Sequence, residues 1–107
     1  MNSEKLRGHL DLLLLAAVAA TPAHGYAIIS TLRERSDGAF DLPEGTVYPA
    51  LHRLEEQGLV ASAWAAVAGR RRRVYRLTGG GAAALADHRR EWRRFATGVD
   101  AVLGWTA

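Results

Sequence analysis

The pattern of hydrophobic and polar positions along this chain predicts three helices, a β-hairpin and a long last helix, in that order. The first segment, residues 5–20, is helix-forming throughout, and its leucines cover almost the whole circumference of a helix. A helix that is apolar on all sides must be buried on all sides. Since a chain of 107 residues can hardly surround one helix, we expect part of this surface to contact another chain. Thr21 and Pro22 end the helix.

The second and third predicted helices have distinct inner and outer faces. Residues 24–38 form the second helix, which ends at a Ser-Asp-Gly stop. Its inner stripe consists of Ile28, Ile29 and Leu32. Residues 44–58 form the third helix, which Gly58 terminates. At about 100° per residue, its inward seam consists of Val47, Leu51, Leu54 and Gly58.

A β-hairpin with a basic tip follows the third helix. Two short runs of strand character, LVASAW and RVYRLT, are separated by Ala-, Gly- and Arg-rich residues around Gly69. Tyr75 and Leu77 alternate inward, and we expect Trp64 on the partner strand to pack with them. Thr78 then caps the last helix, which runs from about Gly79 to about Leu103. The apolar positions of that helix are Ala83, Leu85, Trp92, Phe95, Val99, Val102 and Leu103.

Three helices followed by a two-stranded hairpin are the layout of a winged helix-turn-helix. The sequence therefore predicts a mainly α fold with a small β-hairpin. We expect residues 1–78 to form the winged helix-turn-helix and residues 79–107 to form a long C-terminal dimerisation helix, in one compact unit.

Composition narrows the compartment and the class of partner. The absence of cysteine excludes disulfides and thiolate metal sites and favours the cytoplasm. The most apolar run, residues 12–20, is too short to span a bilayer, so we expect no membrane segment. Net charge is only +3, but residues 59–107 hold nine arginines against three acidic side chains. This asymmetry predicts a polyanionic partner, and charge alone leaves nucleic acid and an anionic membrane surface both open.

The polar side of the third helix is typical of a helix that reads DNA. Opposite the seam lie Gly45, Thr46, Pro49, His52, Arg53 and Glu56, with Tyr48 on the shoulder. In a helix-turn-helix this helix enters the major groove N-terminus first. We expect the backbone N–H groups of Gly45 and Thr46 to donate to a phosphate oxygen and the Tyr48 hydroxyl to reach a phosphate. His52 and Arg53 are expected to contact bases or phosphates. Pro49 lies early enough in the helix to be tolerated. The alternative is a merely solvated surface.

The hairpin tip supports the reading of this helix as a DNA contact. Four consecutive arginines, Arg70, Arg71, Arg72 and Arg73, lie at or just past the turn. Neighbouring like charges contribute little to folding of a hairpin, whereas on a wing they reach phosphates or an adjacent minor groove. The alternative is a solubilising loop.

These motifs resemble those of the PadR family of bacterial transcription regulators. HGYAI (residues 24–28), GTVYPALHRLEEQGLV (residues 45–60) and GRRRRVYRLT (residues 69–78) stand in the family's order and spacing, and the match covers nearly the whole chain. The resemblance implies a homodimeric repressor of inverted-repeat operators in double-stranded DNA, with the first and last helices forming the dimer. It also implies DNA contacts by Tyr26, Thr46, Tyr48 and the arginines of the wing.

The resemblance further implies a possible small-molecule effector. Some family members respond to aromatic or cationic compounds in a cleft at the dimer interface, and Trp92 occupies the position where several carry an aromatic residue. Leu12 on the first helix is the expected facing residue, and dimer core is the alternative role for Trp92. The sequence departs from the family at LTGGGAAAL, where extra glycines lower helix propensity, so we expect fraying there.

Rival functions lack matching features in the sequence. The four histidines are scattered without ligand-like spacing, and no Gly-Lys-Ser/Thr follows the glycine run. We therefore predict neither an enzyme nor a bound cofactor or metal. A winged helix used only for protein–protein contact predicts a neutral wing, whereas this wing is basic. Membrane attachment by the last helix would require its apolar stripe to be free, whereas dimerisation would cover that stripe.

Overall fold

Four helices and a three-stranded sheet make up the computed structural model, which describes residues 9–105. The helices are α1 (Leu10–Ala20), α2 (Gly25–Arg35), α3 (Glu44–Glu56) and α4 (Gly79–Leu103), and the strands are β1 (Ala23–His24), β2 (Val60–Val67) and β3 (Arg70–Leu77). The predicted start of the first helix, residues 5–8, lies outside the described residues. None of the helices within residues 9–105 is long and apolar enough to cross a bilayer.

The core lies where α1, α2 and α3 meet the sheet. Its fully buried side chains are Leu14, Leu15, Val18, Ile28, Val47, Leu51, Leu54, Val60 and Tyr75. Each buried aliphatic side chain of this size contributes about 1.5–3 kcal/mol relative to an exposed one. The seam predicted for α3 is thus confirmed at Val47, Leu51 and Leu54. On α1, in contrast, Leu10, Leu12 and Leu13 are only partly buried within the chain.

Gly58 terminates α3 as predicted, but it does not join the inward seam, so that part of the prediction is wrong. The helix stops at Glu56, and Gly58 is exposed in the left-handed region with φ of 77°. The Leu59 amide donates to the Leu54 carbonyl at 2.9 Å and the Gly58 amide donates to the Glu55 carbonyl at 3.0 Å. These two bonds form a Schellman motif, which needs a left-handed residue at the position that Gly58 occupies.

The sheet is antiparallel, with strand order β1-β3-β2. The hairpin of β2 and β3 confirms the prediction, and its register pairs Val67 with Arg70 across a two-residue turn. Both turn residues, Ala68 and Gly69, have positive φ, as a type I′ turn requires. The short strand β1 was not predicted, because two residues carry no period; its pairing with β3 joins the hairpin to the helical body.

Side-chain caps fix the starts of α2 and α4. Nδ1 of His24 accepts a hydrogen bond from the Ala27 amide at 3.2 Å. Oγ1 of Thr78 accepts from the Gly81 amide at 3.0 Å and donates to the Gly58 carbonyl at 2.6 Å. Caps of this kind stabilise a helix by about 0.5–2 kcal/mol. The predicted cap and bounds of the last helix are therefore confirmed.

The beginning of α4 packs into the core of the chain, and farther along the helix the Trp92 ring meets the His9 ring. Gly81 and Leu85 are buried, whereas the apolar side chains from Trp92 onward are exposed. With 25 residues, α4 is about 37 Å long, so its second half projects beyond the helical body. The apolar stripe consists of Trp92, Phe95, Val99, Val102, Leu103 and Trp105.

Candidate nucleic-acid interface

The outward face of α3 presents the predicted residues, and its first turn is left without a side-chain cap. Gly45, Pro49 and His52 are exposed, and Thr46 is half-buried. Pro43 precedes the helix and supplies no capping hydrogen bond from its side chain. Its carbonyl accepts from the Thr46 amide at 3.0 Å, so the expectation of a free Thr46 N–H is wrong. The Gly45 amide donates no hydrogen bond within residues 9–105, which leaves it open to an anion.

The Tyr48 ring lies against the start of α2, in a place that only a glycine at position 25 leaves open. The sequence alone does not indicate this role of Gly25. A β-carbon at Gly25 would lie 2.6 Å from Cζ of Tyr48 and 2.8 Å from its hydroxyl oxygen, closer than real β-carbons approach any atom. Only glycine therefore allows the ring to lie in this place. Tyr26, the next residue, is 57% exposed. The two tyrosines predicted to contact DNA are thus brought near the same end of α2.

Arg53 has an intramolecular partner that the sequence did not reveal. Its guanidinium donates two hydrogen bonds to the carboxylate of Asp11 on α1, at 3.0 and 2.6 Å. These hydrogen bonds, together with the Asp11 charge, raise the pKa of Arg53 against the opposing effect of burial. The pair links the outward side of α3 to α1, and a base contact by Arg53 stays a prediction that would require this pair to open.

The wing consists of β2, β3 and their turn. Its four consecutive arginines divide between the two faces of the hairpin. Because side chains alternate along a strand, Arg71 and Arg73 share the face of Tyr75, while Arg70 and Arg72 lie on the other. Arg72 is near enough to His24 to lower its pKa, an effect smaller than that of burial, which lowers the same pKa.

Trp64 does not pack inside the wing, contrary to the expectation. Tyr75 is buried, and burial is the main effect raising the pKa of its hydroxyl, but Trp64 is 56% exposed. The reason is position: Trp64 lies four residues past Val60, where the hairpin has extended beyond the helices. Its ring centroid lies 5.2 Å from the guanidinium carbon of Arg71 and 5.6 Å from that of Arg73, which is cation–π distance.

A hydrogen-bonded chain connects the wing to the last turn of α3. Nε of Arg73 donates to Oγ of Ser62 at 2.7 Å, and that hydroxyl donates to Oε2 of Glu55 at 2.6 Å. The guanidinium Nη2 of Arg73 also lies 3.8 Å from Oε2 of Glu55. The wing and α3 are therefore joined by polar side chains as well as by the backbone.

Two clefts flank Trp92 between α1 and α4, and Leu12 lines both, so the structure brings the predicted effector residues together. One cleft, of about 230 Å³, is lined by His9, Leu12, His88, Glu91, Trp92 and Phe95. The other, of about 350 Å³, lies toward Arg93 and Asp100. The His9 and Trp92 rings meet edge to face with centroids 5.0 Å apart. Within residues 9–105 no group of three or more His, Asp or Glu side chains could hold a metal ion.

Comparison with known proteins identifies the family to which the chain belongs. The model of the transcriptional regulator PadR-like family matches residues 14–87. The chain belongs to the PadR-like family. The chain is also 40% identical over 93 residues to the transcriptional regulator Rv3488 of Mycobacterium tuberculosis, covering 87% of this chain and 84% of that protein. The resemblance seen in the sequence is thereby confirmed.

Solved structures of PadR family regulators share the fold of this PadR-like chain. One from Eggerthella lenta is 35% identical with a TM-score of 0.78, covering 94% of this chain and 86% of that one. Another, from Clostridium difficile, is 33% identical with a TM-score of 0.79, covering 89% of this chain and 98% of that one. The predicted fold class, a winged helix-turn-helix with a long last helix, is confirmed. Its division at residue 78 stays a prediction.

Proposed function

We propose that this PadR-like regulator acts as a homodimer that binds an inverted-repeat operator in double-stranded DNA and represses transcription in the cytoplasm. The observation that carries the proposal is the combination of an uncapped, outward-facing start of α3 with a wing that carries four consecutive arginines and is joined to the same helix. An anion held at the Gly45 amide lies at the positive end of the α3 dipole. The wing, which is joined to the last turn of the same helix, adds the positive charge of its arginines to this interface, as contact with a continuous polyanion requires.

Apart from Arg53, which is paired with Asp11, each predicted DNA contact has a role in this arrangement. Gly45, Thr46, Tyr26 and Tyr48 surround the start of α3, so they fit phosphate positioning. Pro49 and His52 lie on the exposed face that would enter the major groove, where His52 reaches base edges. The wing arginines Arg70, Arg71, Arg72 and Arg73 supply the positive charge that faces the phosphate backbone or the adjacent minor groove.

The apolar stripe of α4 supports the dimer. Six large apolar side chains on or just after one helix are exposed in the single chain, and Trp105 alone is 70% exposed. Such a stripe on a projecting helix needs a partner, and the stripe of a second copy matches it. The partly buried leucines of α1 lie beside the same helix and fit the same interface. A twofold dimer then presents two α3 helices, which an inverted repeat matches.

The clefts beside Trp92 fit an effector that releases the operator. They lie between α1 and α4, the two helices assigned to the dimer, so a planar aromatic compound between Leu12 and Trp92 would shift how the copies pack. A thermal-shift screen with planar aromatic compounds tests this part. We expect stabilisation of the wild-type protein that is lost in Trp92→Ala, and a hit that stabilises both equally contradicts it.

DNA binding is tested by titrating duplex DNA from the gene's own upstream region at several salt concentrations. Fluorescence anisotropy should show binding at low salt, and the logarithm of the affinity should fall linearly with the logarithm of the salt concentration. Replacing Arg71 and Arg72 by Ala should weaken binding to all sequences and flatten that dependence, since the slope is about 0.9 per phosphate contact. Arg90→Ala, on α4, is the matched control because its side chain is paired with Asp87. Absence of binding at low ionic strength would overturn the proposal.

Sequence readout and dimerisation need separate measurements. His52→Ala should change base preference at one position in each half-site by about 1–3 kcal/mol, measured with a panel of singly substituted operators. If preference is untouched, His52 contacts phosphate or nothing. Sedimentation of the free protein should show a dimer, and a stable monomer would refute the twofold arrangement.

A further inference from the structure

We propose that the wing arginines are not equivalent: Arg73 is a positioning residue that sets the wing against α3, and Arg71 is the phosphate contact on that face. This inference rests on the proposed DNA binding and adds a division of labour within the same site. Glu55 and Ser62 are the residues that give Arg73 its positioning role. Neither had been assigned to the interface from the sequence.

The first argument is geometric. Arg73 spends its Nε–H on Ser62, whose hydroxyl donates to Glu55 on the last turn of α3. The chain of bonds spans from the middle of the hairpin to the helix that enters the groove. Directional bonds at both ends resist hinge motion of the wing relative to α3. The distance between the two DNA-contacting elements is thus held before DNA arrives.

The second argument is electrostatic. Glu55 lies 3.8 Å from the Arg73 guanidinium, so a phosphate that approaches Arg73 also meets a nearby carboxylate. Much of the attraction of Arg73 is cancelled in this way. Arg71 makes no salt bridge to a carboxylate in the described part of the chain. Of the two arginines on this face, Arg71 carries the uncompensated charge.

The third argument concerns Trp64. The ring is directly opposite Arg73 in the register and within cation–π distance of both guanidiniums. An exposed indole here supports the stem of Arg71 and limits the conformations that its side chain samples. Restriction before binding reduces the entropy lost when Arg71 meets a phosphate. Trp64 therefore acts on Arg71 as Glu55 and Ser62 act on Arg73.

The experiment compares the slope of log affinity against log salt and the ratio of operator to non-operator affinity in four full-length proteins. We expect Arg71→Ala to lower the slope by about 0.9, the value for one phosphate contact. Arg73→Ala should keep the wild-type slope while lowering the operator ratio several-fold. Ser62→Ala carries no change of charge and should lower the ratio in the same way. If these residues only stabilised the hairpin, the substitutions would change the melting temperature but neither the salt slope nor the operator ratio.

Glu55→Gln gives an independent check with the opposite sign. Without the carboxylate, Arg73 is free to engage phosphate, so the slope should rise toward one additional contact and non-operator affinity should increase. A fall in slope for Arg73→Ala equal to that for Arg71→Ala overturns the inference, as does an unchanged operator ratio in Ser62→Ala. Those results leave the proposed function standing. A wild-type protein that binds no DNA overturns both.

Discussion

Gly81, in the first turn of α4, offers the sharpest test of how this chain packs. A β-carbon there would overlap the carbonyl oxygen of Leu59 and lie 2.9 Å from its carbonyl carbon and 2.8 Å from Cδ1 of Leu77. The obstruction is largely backbone, which cannot rotate away. Gly80, one residue earlier, has its nearest atom at 3.4 Å, the Gly58 carbonyl oxygen. Gly81→Ala and Gly80→Ala therefore add the same methyl group, at one position where backbone atoms obstruct it and at another where there is room for it.

The magnitudes follow from two opposing effects. Replacing glycine by alanine in a helix stabilises it by up to about 1 kcal/mol, because the unfolded chain has less freedom to lose. At position 80 little opposes this gain. At position 81 the added methyl forces α4 away from Leu59 and Leu77, and overpacking of this kind costs about 1–3 kcal/mol. Since the gain from replacing glycine is common to both variants, we expect their free energies of unfolding to differ by about 1–3 kcal/mol, with Gly81→Ala the less stable.

Urea denaturation followed by circular dichroism measures this difference. Both variants must be compared at one protein concentration, since association would add to apparent stability. An equal m-value confirms that the same surface is exposed on unfolding. If Gly81→Ala is as stable as Gly80→Ala, the close approach of α4 to Leu59 is not present in the protein. The result would then favour the fraying expected from the glycine run.

Two further predictions concern charged and titrating groups. A double-mutant cycle of Asp11→Ala and Arg53→Ala, measured by urea denaturation, should give a coupling energy of about 0.5–1 kcal/mol, which is small because the Arg53 side chain is 45% exposed. Zero coupling would mean that the pair does not form in solution. The pKa of His24 is lowered in the folded protein, so the unfolded chain binds more protons and stability should fall as pH drops below about 6.5. His24→Asn keeps a side-chain cap but does not titrate, so its unfolding free energy should fall less between pH 7.5 and 5.5; parallel curves would contradict the assignment.

Much of the fold could be predicted because its signals are local. The stop after α2, the cap by Thr78 and the seam of α3 each depend on residues within one or two turns, so sequence spacing was enough. Of the interface, sequence indicated which side of α3 and which end of the hairpin face outward. The structure places Gly45, Pro49 and His52 on that exposed side.

The remaining features depend on contacts between distant parts of the chain. Arg53 pairs with a residue 42 positions away, so spacing within α3 carries no trace of it. The exposure of Trp64 depends on how far the hairpin extends past the helices, which alternation along a strand does not report. The sequence shows Gly25 only as part of the HGYAI motif, because the need for glycine at this position comes from the Tyr48 ring. For Gly81, low propensity was visible in the sequence, but its packing against Leu59 was not.

The missing side-chain cap at the start of α3 restricts which substitutions this protein can accept at Pro43. A serine or aspartate in place of Pro43 would close the first turn and make the free protein more robust. The same side chain would occupy the donor that the polyanion is proposed to use, and a carboxylate would repel it. Substitutions at this position that raise thermal stability are therefore expected to weaken the proposed binding of DNA. Selection for stability then opposes selection for DNA affinity.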